Sequence, residues 1–191
     1  MNRAAPRRRA LGGVALLLAG CSSPEPDYHR LTAVPGAPRR AAARVVELRR
    51  VELPGYLDRS EIVRAGPGTR LEVLRGIRWG EPLGGMVTRV LAEDLAQRLP
   101  GSTVLTDAGA IRLGADAAVE ADVQRFEADP SGAVELWAQV AFRFGPGRPG
   151  FARSFRLAVP VEGEGAPAVA AAMSVAVGRL ADAIAAALPS R

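Results

Sequence analysis

Few side chains in this sequence could support covalent or metal chemistry. The 191 residues contain one cysteine, Cys21, and one histidine, His29, and arginine supplies all 25 basic residues. The absence of lysine removes the amine that a Schiff base or a phosphate clamp would need. A Ser-His-Asp triad would depend on His29, which lies in the predicted tether, where we expect none of the rigid support that catalytic geometry requires. Zinc sites favour cysteine and histidine, so we predict no metal site.

A pair of carboxylates is the catalytic arrangement that this composition still allows, because two acids need no fixed spacing in sequence. Glu127 and Asp129 are the candidates, and they flank a Pro-Ser-Gly turn. The simpler interpretation of the pair is a solvated hairpin tip. The glycine-rich run GPGRPG at 145–150 lacks the helix start and the lysine of a phosphate-binding loop. We therefore predict no catalytic residue and no cofactor.

The stretch LPGYLDRSEIV begins at Leu53 and concentrates a Pro-Gly turn, an aromatic residue and an acid beside a base. One interpretation is a structural corner, in which the chain leaves one strand and enters the next. The other interpretation is a surface that docks a partner or a neighbouring subunit. In that case Tyr56 and Leu57 are the contact residues, with Asp58 and Arg59 next to them.

Trp137 is a second candidate for partner contact. It alternates with the apolar residues Leu136 and Ala138, which places it on the polar face of a predicted strand. A helix or loop that covers the indole would explain this position. The alternative is an exposed contact residue, since tryptophan is enriched at the energetic centres of protein interfaces.

The N-terminus predicts export and lipidation. Residues 1–20 contain four arginines, no acid and an apolar stretch from Leu11 to Leu18, which is shorter than the roughly 20 residues that span a bilayer. The sequence LAGC that ends at Cys21 resembles a bacterial lipobox, whose cysteine thiol takes a diacylglyceryl group. Ser22 after it suggests delivery to the outer membrane. Arg7-Arg8-Arg9 leaves the export route, general secretory or twin-arginine, open.

Removal of residues 1–20 lowers the formal net charge from +5 to +1, because the leader carries four arginines and no acid. The basic composition is therefore no evidence for nucleic-acid binding. The remaining 171 residues suit one domain. Residues 21–43 contain several prolines and are predicted as a lipidated N-terminus and tether. The domain is expected over 44–191.

Hydrophobic periodicity in the mature chain predicts an α/β domain with a mixed, partly antiparallel sheet. Helical spacing of leucine and valine predicts two main helices at about 82–99 and 167–188. Strict alternation between 119 and 159 predicts a three-stranded antiparallel meander. Shorter strands are expected at 28–31, 44–51, 60–65, 69–79 and 102–105. In the strand at 69–79, Leu71, Val73, Ile77 and Trp79 are expected to share one face.

Two segments, 51–66 and 78–100, resemble the ABC-type transport auxiliary lipoproteins of the PqiC family. Members carry Leu-Pro-x-Tyr-Leu-Asp-Arg before an Ile-Val strand, then Trp-x-Glu-Pro-Leu at the start of a helix of the type Leu-x-x-Asp-Leu-x-x-x-Leu. The matching residues here are Leu53, Pro54, Tyr56, Leu57, Asp58, Arg59, Ile62, Val63, Trp79, Glu81, Pro82, Leu83, Leu91, Asp94, Leu95 and Leu99. Among them the resemblance gives a mainly structural role to Leu53, Pro54, Trp79, Glu81, Pro82 and Leu83.

The resemblance implies a three-layer α/β/α domain related to the anticodon-binding fold. It also implies a lipoprotein on the periplasmic side of the outer membrane without catalytic activity. Its partner would be an MCE-domain tunnel protein and the inner-membrane components of a lipid transport system. A homo-oligomer remains open. Two other functions remain open as well: a lipoprotein that activates or braces cell-wall synthesis machinery, and an envelope hydrolase built on Asp58, Glu81 and Asp129.

Overall fold

The computed structural model describes residues 25–111 and 113–190. The predicted signal segment 1–20 and Cys21 lie outside the described residues. The strands are β1 (Asp27–His29), β2 (Val45–Leu48), β3 (Glu61–Ala65), β4 (Leu71–Trp79), β5 (Thr103–Thr106), β6 (Ala117–Ala128), β7 (Ala133–Phe144) and β8 (Phe151–Pro160), and the helices are α1 (Leu83–Arg98) and α2 (Gly165–Ala187). The predicted α/β class, mixed sheet and two main helices are confirmed.

The eight-stranded sheet is organised around β6. On one side β6 pairs antiparallel with β7, and β7 pairs antiparallel with β8, as the meander prediction requires. The other edge of β6 is shared by two parallel strands, β2 at its N-terminal end and β3 at its C-terminal end. The edge strand β5 follows β2, whereas β4 and then β1 follow β3.

Helix α2 packs on one face of the meander. Alternate residues of β6 and β7, such as Val119, Ala121 and Val140, are almost fully buried, whereas Glu120 and Gln139 on the opposite face remain accessible. The helix α2 packs on β7 and β8, and α1 packs on α2 and β5. The outer face of the meander is left uncovered, because every residue on it is half-exposed or exposed except Glu127.

Helix α2 is long and apolar enough, by length and composition, to span a bilayer. However, most of its apolar stretch is buried inside the domain. Its many alanines let the helix lie close to the sheet and to α1. The composition of α2 is therefore explained by its place in the core.

Strand β4 differs from its prediction. Leu71 and Val73 are 45% and 40% exposed, whereas Trp79, which was expected on the same face, is 5% exposed. Gly76 has a φ of +74°, and the register between β3 and β4 shifts near this point. An irregularity of this kind reverses the faces of a strand, because side-chain direction alternates with every residue.

The tether prediction also differs from the structure between residues 27 and 43. Strand β1 pairs with β4, and Leu31 is 1% exposed. The backbone N–H of Thr32 donates to Ser174 Oγ at 3.1 Å, and that of Ala42 donates to the carbonyl oxygen of Pro189 at 2.8 Å. These bonds fasten the segment to the middle of α2 and to the residues that follow its C-terminal end. Residues 27–43 are therefore part of the folded domain.

A buried guanidinium group holds this N-terminal segment in place. The side chains of Arg98 and Asp94 are 1% and 0% exposed. Arg98 Nε donates to Asp182 Oδ1 at 2.6 Å, and Arg98 Nη1 donates to the carbonyl oxygen of Val34 at 3.0 Å. The backbone N–H of Val34 donates in turn to Asp94 Oδ1 at 2.7 Å. Side chains of α1 and α2 thus converge on the backbone of the N-terminal segment.

Two glycines leave room for the guanidinium group. A Cβ atom at Gly36 would lie 2.2 Å from Arg98 Cζ, and one at Gly178 would lie 3.4 Å from Arg98 Nη2 and 3.1 Å from Val34 Cβ. No side chain fits at Gly36 unless Arg98 moves. Because the guanidinium is buried, any displacement weakens its hydrogen bonds without replacement by water.

We predict that Gly36→Ala lowers the free energy of unfolding by about 1–3 kcal/mol, since it overpacks a buried site. Gly55→Ala is the matched control, because a Cβ there meets nothing within 4 Å. Its effect should stay within about 0.5 kcal/mol. Urea unfolding of both variants measures the difference, and equal stabilities would contradict the role given to Gly36.

Asp94 makes stability depend on pH. Burial raises the pKa of Asp94 to about 6, although the Val34 N–H bond and the charge of Arg98 oppose the shift. Among the described residues, Asp94 Oδ2 is buried and has no hydrogen-bond partner. The folded state therefore binds a proton more tightly than the unfolded state, where a pKa near 4 applies. This contribution to stability is complete below about pH 4 and is lost as pH rises through about 6.

We predict that Asp94→Asn removes this titration, because asparagine keeps an oxygen for the Val34 N–H and carries no charge. The stability difference between wild type and variant should change by on the order of 3 kcal/mol between about pH 4 and 7, with the wild type losing stability as pH rises. Urea unfolding across this range measures it. Parallel pH curves for the two proteins would refute the assignment.

Candidate functional site

The stretch that begins at Leu53 forms a tight corner between β2 and β3. The carbonyl oxygen of Pro54 accepts the N–H of Leu57 at 2.9 Å, and that of Gly55 accepts the N–H of Asp58 at 3.2 Å. This single turn directs Leu57 into the core, where it is 3% exposed. Asp58 and Arg59 remain exposed. The corner interpretation describes the backbone, and Leu57, predicted as a partner contact, is instead a core residue.

Tyr56 points from the corner to the outer face of β6. Its hydroxyl donates to Glu127 Oε2, and Arg125 Nε donates to Glu127 Oε1 at 2.8 Å. Partial burial and the bond to Glu127 raise the pKa of Tyr56 well above its usual range, so the hydroxyl stays protonated and donates. Glu127 is only 5% exposed. Its predicted position at a solvated hairpin tip is therefore wrong, because Tyr56 covers it.

Asp129 closes the turn after β6. Its Oδ1 atom accepts the Ser131 N–H at 2.9 Å, the Ser131 hydroxyl at 2.7 Å and the Ala133 N–H at 3.0 Å. Partial burial acts to raise the pKa of Asp129, but these bonds and the charge of Arg125 lower it below the usual range. Asp129 and Glu127 thus accept separate sets of hydrogen bonds. Asp129 stabilises the turn, and Glu127 is the acceptor for the Tyr56 hydroxyl.

Trp137 lies on the outer face of the meander beside two arginines. It pairs with Arg125 on β6 and with Arg156 on β8. The guanidinium carbons of these residues lie 5.3 and 4.6 Å from the centre of the indole ring, and the indole N–H donates to Glu135 Oε2 at 2.8 Å. Both guanidinium groups lie over the ring on this outer face of the sheet. The prediction that a helix or loop covers Trp137 is therefore wrong.

These contacts connect Tyr56 with Trp137, although the two residues lie far apart in sequence. Tyr56 bonds Glu127, Glu127 bonds Arg125, and Arg125 borders Trp137. We call this set the Trp137 surface; it consists of Tyr56, Arg125, Glu127, Glu135, Trp137 and Arg156. Tryptophan, tyrosine and arginine are the residue types that dominate interface energetics. The register of β6, β7 and β8 creates the surface, and the sequence offered no signal for Arg125 or Arg156.

The second segment of the family resemblance, 78–100, reaches the other side of the corner. The Trp79 N–H donates to the carbonyl oxygen of Ser60 at 2.7 Å, and Trp79 and Leu83 are buried. Glu81 and Pro82 are exposed, and Glu81 pairs with Arg89 at 2.6 Å. A shallow cavity of about 300 Å³ lies where the two segments meet, lined by Asp58, Arg59, Ser60, Trp79, Glu81 and Pro82. Leu53 and Pro54 are half-buried beside it.

The fold and both segments agree with one protein family. Residues 29–185 match the family described as ABC-type transport auxiliary lipoprotein component. This chain belongs to that family. The match begins at His29, which agrees with the finding that residues 27–43 are part of the domain. No protein with a curated function matches the sequence.

Two solved structures share the fold of this auxiliary lipoprotein. A crystal structure of an uncharacterized protein has 20% sequence identity and a TM-score of 0.71, and the alignment covers 85% of this chain and 98% of the other. A crystal structure of a DUF330 protein from Xanthomonas campestris has 20% identity and a TM-score of 0.63, with 82% and 88% of the two chains covered. At this identity the likeness shows the fold alone.

We predict that Leu57→Ala lowers the free energy of unfolding by about 2–5 kcal/mol, because it leaves a cavity in the core. Asp58→Ala is the control from the next position, and since its side chain is exposed its effect should stay within about 0.5 kcal/mol. Urea unfolding compares the two variants. A Leu57→Ala protein that is as stable as the wild type would contradict the role of Leu57 as a core residue.

Proposed function

We propose that this auxiliary lipoprotein is anchored in the outer membrane through a lipidated Cys21 and docks an MCE-type lipid transport system in the periplasm. The family contributes the lipoprotein character and the association with ABC transport. The LAGC sequence that ends at Cys21 supports the anchor, and Ser22 supports the outer membrane as its destination. The domain acts as a non-catalytic adaptor. The observation that carries the docking role is the Trp137 surface.

The Trp137 surface is ordered before any partner binds. The indole N–H is bonded to Glu135, and Arg125 is bonded to Glu127, which Tyr56 also bonds. A side chain that is already restrained loses less conformational entropy on binding, so more of its contact energy appears as affinity. The surface lies on the sheet face that the helices leave uncovered. An extended partner surface can therefore reach it without rearrangement of the domain.

The chemistry of the Trp137 surface determines which side chains a partner must present in order to bind it. The indole ring provides apolar area, and Arg125 and Arg156 provide positive charge at its border. Arginine forms paired hydrogen bonds with carboxylates. We propose that the docking region of the MCE-domain protein presents an apolar side chain with acidic neighbours. A lipid anchor concentrates the adaptor at one membrane, so that modest affinity is sufficient for assembly.

We predict that Trp137→Ala weakens binding of the purified MCE-domain protein from the same bacterium by about 30-fold. This factor corresponds to the loss of roughly 2 kcal/mol at the centre of an interface. Arg156→Ala should weaken it as well, because its guanidinium borders the indole. Calorimetry or surface plasmon resonance with the lipidated protein measures both dissociation constants, and urea unfolding checks that the variants fold.

Arg148→Ala is the matched control for Arg156→Ala, since Arg148 also lies over an aromatic ring, 5.9 Å from the centre of Phe144, but in the β7–β8 turn. Its affinity should equal that of the wild type. Equal binding by all three variants would exclude the Trp137 surface as the docking site. Binding of the wild type to a cell-wall synthase and not to the MCE-domain protein would overturn the proposed function.

A further inference from the structure

A small apolar patch lies at the turn between β3 and β4. Leu71 and Val73 are 45% and 40% exposed, and because they are two residues apart on a strand they project to the same side. The turn before them, residues 67–70, is exposed and begins with Pro67. We call residues 67–73 the turn patch. It is separate from the Trp137 surface, and nothing in the proposed docking role uses it.

The path of the N-terminal segment relates the turn patch to the membrane anchor. Strand β1 runs parallel to β4, with Asp27 opposite Ile77. The chain therefore enters β1 from the end of the sheet where β4 begins, which is the end that carries the turn patch. Cys21 precedes Asp27 by six residues, the same number by which Leu71 precedes Ile77. Six residues span at most about 21 Å, so the chain length keeps Cys21 within that distance of Asp27, and the direction of β1 leads it toward the turn patch.

The packing of residues 27–43 leaves only a short connection between Cys21 and the folded domain. An unfolded tether of the predicted length would have let the domain turn freely relative to the bilayer. Since Leu31 and Val34 are fastened to the helices, only the residues before Asp27 separate the domain from Cys21. The end of the sheet with the turn patch is therefore held close to the lipid surface, where even a weak apolar contact is favoured by effective concentration.

The charges around the turn patch favour apolar contact over attraction to anionic lipid. Arg64 pairs with Glu72 at 2.7 Å, which neutralises it. Arg70 and Arg75 flank the exposed aliphatic side chains, but Glu25 precedes β1 at the same end. The mixed charge of this end indicates that contact with a bilayer depends little on lipid charge or salt.

We infer that the turn patch rests in the headgroup region of the phospholipid leaflet that holds the Cys21 anchor, with Leu71 and Val73 directed into its apolar boundary. This inference rests on the proposed lipidation of Cys21. It gives the domain a fixed orientation on the membrane. The opposite end of the sheet, where Thr103 begins β5 and the β7–β8 turn lies, then faces away from the bilayer.

A fluorescent probe tests this orientation in the lipidated protein. Cys21 is the single cysteine in the sequence, so its lipidation leaves no free thiol, and an introduced cysteine is labelled alone. Thr69→Cys places an environment-sensitive fluorophore in the turn patch, and Thr103→Cys is the matched exposed threonine at the far end. Both proteins are reconstituted in phosphatidylcholine vesicles with and without nitroxide-labelled phosphatidylcholine.

We expect the label at residue 69 to be blue-shifted and quenched by the lipid nitroxide, whereas the label at residue 103 keeps the emission it has in water. Adding Leu71→Ser and Val73→Ser should abolish the quenching at residue 69 while the protein still floats with the vesicles. Equal, water-like emission at both positions would overturn the inference. An apolar environment at residue 69 that arises only after an envelope protein is added would also overturn it, in favour of a protein contact.

Mass spectrometry of the same preparation separates the inference from the proposed function. A Cys21 without lipid refutes the proposed anchor, and the inference falls with it. A lipidated protein that floats with the vesicles but whose residue 69 label stays in water refutes the inference alone and leaves the proposed function standing.

Discussion

The buried guanidinium of Arg98 is the constraint on which the arrangement of this domain depends. A charge that is removed from water is costly unless its hydrogen bonds are supplied by the protein. Here the acceptors come from Asp182 on α2, from Val34 in the N-terminal segment and from α1 itself. Because each acceptor belongs to a different segment, Arg98 is satisfied only when all three have converged. Gly36 and Gly178 allow the close approach that this requires.

This convergence bears on how the domain is connected to Cys21, the proposed lipidation site. A proline-rich segment packs against both helices and supplies the edge strand β1. Only a few residues therefore separate Cys21 from the folded domain. In the orientation that we propose, this short connection keeps one end of the sheet near the bilayer, and the exposed Leu71 and Val73 lie at that end. The buried charge of Arg98 thus links the proposed anchor to the proposed orientation.

The proposed docking surface depends on a different feature, the uncovered face of the meander. Helix α2 lies against one side of β6, β7 and β8, and α1 packs on α2 and β5, so the opposite side of the three strands can present long side chains to a partner. The register of these strands places Arg125, Trp137 and Arg156 side by side. The corner at Tyr56 closes one end of this row through Glu127. A restrained aromatic group with two arginines over it results.

The sequence by itself determined the features that rest on local periodicity and covalent order. Strand geometry makes side chains alternate over β6, β7 and β8, and helix geometry gives the apolar residues of α1 and α2 their helical spacing. These elements and the α/β class could therefore be predicted. The turn chemistry of Pro54-Gly55 predicted the corner, and the two motif segments identified the family. Only the tertiary structure decided which side chains meet. Gly76 reversed the faces of β4, Tyr56 buried Glu127, and strand register brought two arginines to Trp137. The packing of residues 27–43 likewise depended on Arg98, a charged residue whose burial no local pattern reveals. Each of these outcomes arises from contacts between residues distant in sequence, and for that reason periodicity and composition could not supply them.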